Sequence, residues 1–203
     1  MYLAAFAGPA SGQEARPAGE NGAGREAATA LAFLGGAITG LAAHEASHVA
    51  LDYAFDARPG VKRVDFGWIP FFAITHREVS RRREFAIASA GFWAQHAVDE
   101  WVLTRRPQLR RERAPFAKGA LAFGVLTSFA YGGAAFARAG PAERDTRGMA
   151  LSAAPGGIDE RWIGALVLAP AALDAYRYFA PDARWAVWAS RVVKVGLVLM
   201  VMR

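Results

Sequence analysis

Cysteine is absent from the chain, which excludes a disulfide framework, a thiolate nucleophile and any zinc site built from thiolates. A metal would have to be held by histidine and carboxylate. Internal repeats, heptad arrays and glycine-rich phosphate loops are also missing, so solenoid, coiled-coil and nucleotide-loop readings fall away. The N-terminus has no basic leader, and its apolar stretch Tyr2 to Ala7 is short and broken by Gly8-Pro9. It makes a poor secretory signal.

Apolar residues are abundant. They form 54% of the 203 residues and lie in long runs, more than a water-soluble domain of this size needs. Thr29 to Leu51, Gly119 to Ala137, Trp162 to Phe179 and Trp185 to Met202 each approach the roughly 20 residues of a membrane-crossing helix. Phe85 to Leu103 is as long but carries Gln95, His96, Asp99 and Glu100 and has arginines at both ends. Its polar residues recur at four-residue spacing, which suits a re-entrant or interfacial helix, or one buried inside a bundle. Val61 to His76 mixes Val, Ile, Phe and Trp with Gly67 and Pro70 and reads as a short hairpin or extended loop. The charged stretch Pro141 to Arg161 reads as a connection.

The net charge of +6 comes largely from two tracts beside apolar segments, Arg77 with Arg81 to Arg83, and Arg105 through Lys118. This placement fits cytoplasmic loops facing anionic lipid better than a nucleic-acid surface. Expected, therefore, is an integral membrane protein of a bacterial-type inner or plasma membrane, with basic loops cytoplasmic and no nucleic-acid partner. Residues 1–28, rich in Gly, Ala, Pro and Glu, are expected to form a flexible lead-in, and residues 29–203 a single transmembrane domain. Its fold class is all-α, a polytopic bundle of four to five membrane helices with a hairpin-like loop after the first.

Within the first apolar run lies His44-Glu45-Ala46-Ser47-His48. Histidines four apart project from one side of a helix and can meet one ion, while Glu45 can act as general base without being a ligand. Three ionisable side chains in five residues of a membrane helix are costly unless they serve a site. A catalytic zinc needs a third protein ligand. Asp174 is the candidate, because it follows the apolar sequence Leu168-Ala169-Pro170-Ala171-Ala172-Leu173 and needs a cation there. Pairing with Arg177 at the helix end is the competing account. His96 and Glu100 could form a second metal site, or His96 could make a buried hydrogen bond or support the first site from outside. Arg191 and Lys194 could snorkel, bind lipid headgroups or pair with Asp99 and Glu100.

Taken together, residues 30 to 175 resemble the site-2 protease family of intramembrane zinc metalloproteases. His44 to His48 corresponds to that family's first motif, and Val61 to His76 to the loop after it. Ala90-Gly91-Phe92-Trp93-Ala94-Gln95 is similar to its Gly-Pro-x-x-Asn element, with Phe92 for Pro and Gln95 for Asn. Pro170 to Asp174 is similar to its Pro-x-x-x-Asp element, with Ala175 where the family has Gly. The resemblance implies Zn2+ held by His44, His48 and Asp174, Glu45 as catalytic base, and Gln95 and His96 on the substrate side or behind the ligands. The implied activity is hydrolysis of a peptide bond in a membrane-anchored polypeptide within the lipid bilayer. The alternative is a metal-binding membrane scaffold without protease activity.

Overall fold

From Glu20 onward the chain is rich in alanine and has no proline for 35 residues, and alanine is the strongest helix former. The computed structural model, which describes residues 20–66 and 69–202, accordingly begins with one long helix, α1 (Glu20–Ala54). The helix therefore starts inside the segment expected to be flexible up to residue 28, of which residues 1–19 lie outside the described residues. Asp56 and Arg58, both at positive φ, then turn the chain into an antiparallel hairpin of β1 (Gly60–Phe66) and β2 (Ile69–Thr75). Gly60 pairs with Thr75 and Phe66 with Ile69. The expected hairpin is present.

Among the described residues four longer α-helices and one short α-helix follow: α2 (Arg81–Arg105), α3 (Pro115–Ala137), α4 (Asp145–Ser152), α5 (Glu160–Phe179) and α6 (Arg184–Met202), with a 3-10 turn at Leu109–Arg111. The boundaries follow local chemistry. Pro115 opens α3, where a missing N–H costs nothing. The Asp159 side chain caps α5 by accepting from the Arg161 backbone N–H at 3.1 Å. Asp145 stands in the first turn of α4, where an acid suits the helix dipole. Pro155-Gly156-Gly157 lies beyond the end of α4, both glycines at positive φ. The stretch expected to be only a connection thus contains a helix.

Helix α2 is central. It packs on α1, α3, α4, α5 and α6, so of the three expectations for this segment the structure realises burial inside the bundle. Ala88 and Phe92 of α2 meet Met149 and Ala150 of α4 and Ile163 and Val167 of α5 in one apolar cluster. Val102 and Leu103 meet Leu109 and Leu121 in a second. Helices α1 and α3 cross closely. A Cβ on Gly36 would overlap the Phe116 carbonyl oxygen, and one on Gly119 the Phe33 carbonyl oxygen, so small residues set this backbone contact.

Polar and apolar residues are arranged unusually. His44, His48, Asp52, Gln95, His96, Asp99, Asp174 and Arg177 are buried, while Leu31, Leu34, Ile38, Leu126, Trp162, Trp188 and Val192 are exposed. Among the described residues two helices are long and apolar enough to cross a membrane, residues Gly22–Ala54 of α1 and all of α3. This corrects the expected four to five spans. The segments at 162–179 and 185–202 do form helices, but α5 carries Glu160, Arg161, Asp174 and Arg177, and α6 carries Arg184, Arg191 and Lys194. Several of these charges pair inside the bundle.

Candidate metal centre

One turn of α1 separates His44 from His48, and both imidazoles point into the contact between α1 and α2, with ring centroids 5.1 Å apart. Each ring is held from behind. Gln95 of α2 donates through Nε2 to the Ser128 hydroxyl at 2.5 Å and to the Gly124 carbonyl at 3.3 Å, which leaves Oε1 as the acceptor for His44 Nδ1 at 3.0 Å. The Ile87 carbonyl accepts from His48 Nδ1 at 2.8 Å. These partners assign the proton to Nδ1 in both neutral rings, so both Nε2 lone pairs face forward. Space for the His44 ring comes from Gly91, where any Cβ would overlap the imidazole.

Both Nε2 atoms face the same carboxylate oxygen, Oδ2 of Asp145, at 3.1 Å from His44 and 3.5 Å from His48. Two nitrogen lone pairs and an anionic oxygen repel one another unless a cation stands among them, either protons on the rings or a metal ion. Burial alone would push the Asp145 carboxyl up. The His48 charge and hydrogen bonds from both rings, when these carry protons, instead hold it well below the usual carboxylate range. His44, His48 and Asp145 stand close enough to hold one metal ion.

Asp145 is itself braced on both sides. Glu160 accepts from Arg144 Nε at 2.7 Å and Nη2 at 2.5 Å, and from the Thr146 hydroxyl at 2.7 Å. One carboxylate therefore grips both chain neighbours of Asp145 and anchors the start of α4. Lys62 of β1 pairs with Glu143 at 2.5 Å and ties the hairpin to the same segment. Between them opens a cavity of about 100 Å³, bordered by Glu45, His48, Ile74, His76, Tyr131 and Asp145. It has room for several waters. Glu45 lies at the cavity beside His48.

Asp174 lies elsewhere. Its carboxylate is fully buried against Lys194 Nζ at 2.7 Å, the Ser190 hydroxyl at 2.8 Å and Arg177 Nη1 at 3.3 Å. Asp145 is the carboxylate that the structure brings to His44 and His48. The two anions differ in that α4 packs on α2 and brings Asp145 to the His44-Glu45-Ala46-Ser47-His48 (HExxH) stretch of α1, whereas Asp174 is drawn into the ion pairs among α2, α5 and α6. Gln95 stands behind His44, and His96 forms part of a second group with Asp99 and Asp174 that could also hold a metal ion. Arg191 and Lys194 both reach Glu100, at 2.9 and 3.1 Å. Asp145 was missed because its only sequence signal is an acid opening a short segment with Met149 four residues on.

Comparison with known proteins finds no matching family model, no similar curated protein and no similar solved structure. The chemistry of the centre therefore has to be argued from its own residues.

Hydrogen-bonded partners behind a ligating imidazole tune its affinity for metal. Gln95→Ala removes the acceptor that fixes the His44 tautomer, and the affinity of the site for a metal ion is expected to fall about 10- to 100-fold. Competition with a chromogenic chelator measures it; an unchanged affinity would remove Gln95 from the site.

Proposed function

We propose that this chain is a zinc-dependent endopeptidase embedded in a membrane, cutting a peptide bond of a membrane-anchored polypeptide. The reading is carried by one observation. The Nε2 atoms of His44 and His48 and the carboxylate of Asp145 converge on a single point beside Glu45, at the wall of a cavity with room for several waters.

The donor set fits zinc: two imidazoles with tautomers fixed by Gln95 and Ile87, one carboxylate, and an open side toward the cavity. A zinc ion so held would polarise a scissile carbonyl and make a water acidic near neutral pH. The chain's own residues supply the rest. Glu45 accepts the proton of the attacking water and returns it to the departing amine. Glu160, through Arg144 and Thr146, keeps the Asp145 carboxylate aimed at the histidines.

The membrane setting is supported by the two long apolar helices, by apolar side chains on the outer faces of α1, α3 and α6, and by buried charges within. The basic tracts around α2 suit a cytoplasmic face. A centre built on a membrane-length helix favours a membrane-anchored substrate.

A metal-binding membrane protein without proteolytic activity is the second reading. It is favoured by Asp174, whose Pro-x-x-x-Asp motif resembles a protease ligand motif yet serves ion pairs here. Purified protein in detergent, incubated with a model single-span substrate, separates the two readings. Cleavage that a chelator abolishes and zinc restores is expected. Zinc bound stoichiometrically with no cleavage would leave the second reading standing.

A further inference from the structure

A second cluster, away from the first centre, joins α2 to α5. His96 and Asp99 are three residues apart on α2 and so share a face, and Asp174 approaches from α5. Their donor atoms lie within 4.8 Å of one another, and the three residues are 4%, 1% and 0% exposed.

Neither His96 ring nitrogen and neither Asp99 carboxylate oxygen has a hydrogen-bond partner among the described residues. Buried imidazole and carboxylate groups are seldom left wholly unmatched, because each has given up water without replacement. Room has been kept for them. A Cβ on Gly124 of α3 would overlap the Asp99 carboxylate. A small cavity bordered by Ser89, Phe92, Trp93 and Leu197 opens onto His96.

Neighbouring charges are distributed unevenly. Glu100 holds Arg177 at 2.5 Å, Arg191 at 2.9 Å and Lys194 at 3.1 Å. Asp174 holds Lys194 and Arg177, and Asp99 pairs with none of these cations. Lys194 is the cation that can yield, because it keeps Glu100 when it leaves Asp174.

We propose that His96, Asp99 and Asp174 form a second divalent-cation site, with Lys194 as the tethered cation that an incoming ion displaces from Asp174. One imidazole and two carboxylates suit a first-row transition ion of the zinc or manganese kind. Soft copper(I) prefers sulfur, and calcium takes oxygen ligands only. The site is separate from that of His44, His48 and Asp145 and does not depend on the proposed protease activity.

The test is zinc titration of the full chain, stripped of metal and held in detergent micelles. Wild type is expected to take two equivalents. Asp99→Asn, which keeps the shape of the side chain but removes its charge, takes one; Asp145→Asn also takes one, at the other site; the double variant takes none. Lys194→Met removes the competitor, so it should tighten the equivalent that Asp99→Asn abolishes. If Asp99→Asn does not yield folded protein by circular dichroism, His96→Gln reads the same site and should also take one. Asp99→Asn or His96→Gln binding as many equivalents as wild type would overturn the proposal, as would an Asp145→Asn variant that binds none. Loss of one equivalent in Asp99→Asn sustains it even if Asp145→Asn loses none, since that result would count against the first centre alone.

Discussion

Replacing Asp145 by Asn is expected to abolish zinc binding at the HExxH centre, while replacing Asp174 by Asn leaves that centre loaded. Asp145 Oδ2 is the only carboxylate oxygen among the described residues that faces both Nε2 atoms, at 3.1 and 3.5 Å. An amide oxygen in its place carries no charge to offset the ion or to complete the donor set. A fall in zinc affinity of at least about 100-fold is therefore expected, at the upper end of what even an outer-shell change can cause. Asp174→Asn acts on a different network. It removes one of the two anions that Lys194 and Arg177 share, Glu100 being the other, and is expected to cost about 1 to 3 kcal/mol of stability through the charged hydrogen bonds lost at a buried site. The two variants should thus separate, one losing metal with the fold intact, the other losing stability with the first zinc still bound. Metal analysis beside thermal denaturation reads both. If Asp174→Asn loses the HExxH zinc while Asp145→Asn keeps it, the assignment of the third ligand is reversed.

The second large effect concerns Glu45, which borders the cavity but completes no donor set with His44 and His48. Glu45→Gln preserves shape and polarity and removes the base. Zinc content should be unchanged while peptide hydrolysis falls by about 10²-fold or more, the usual contribution of a positioned general base. Parallel measurement of bound metal and of cleavage of a single-span substrate gives the comparison. Undiminished hydrolysis in this variant would show that the mechanism proposed for Glu45 is wrong, whatever the metal content.

The contrast between Asp145 and Asp174 shows where sequence reading reaches its limit. Both are single aspartates, and burial in an apolar run made Asp174 the more conspicuous, because such a carboxylate must have a cation nearby. The buried Asp174 carboxylate does meet cations. Which cation it meets depends on how α5 and α6 pack, and they supply Lys194 and Arg177. The long apolar runs at 162–179 and 185–202 likewise became helices; the Asp174–Arg177 pair is local, three residues apart, but Lys194 and Glu100 join it from other helices.

By itself the sequence determined the features carried by local spacing. These are the long helix bearing His44 and His48 on one side, the hairpin after it, the helical character of the remaining long apolar segments but not of α4, and a metal chemistry restricted to imidazole and carboxylate. Periodicity and composition act over a few residues, so they can be read without knowing what packs against what. The tertiary structure decided the third donor, 101 residues from His44 along the chain, the tautomer-fixing roles of Gln95 and Ile87, and the Glu160 grip on either side of Asp145. It also created the second cluster of His96, Asp99 and Asp174. Each of these depends on contacts between elements distant in sequence, where several polar groups compete for one partner and only the packing of α4, α5 and α6 around α2 settles which of them meet.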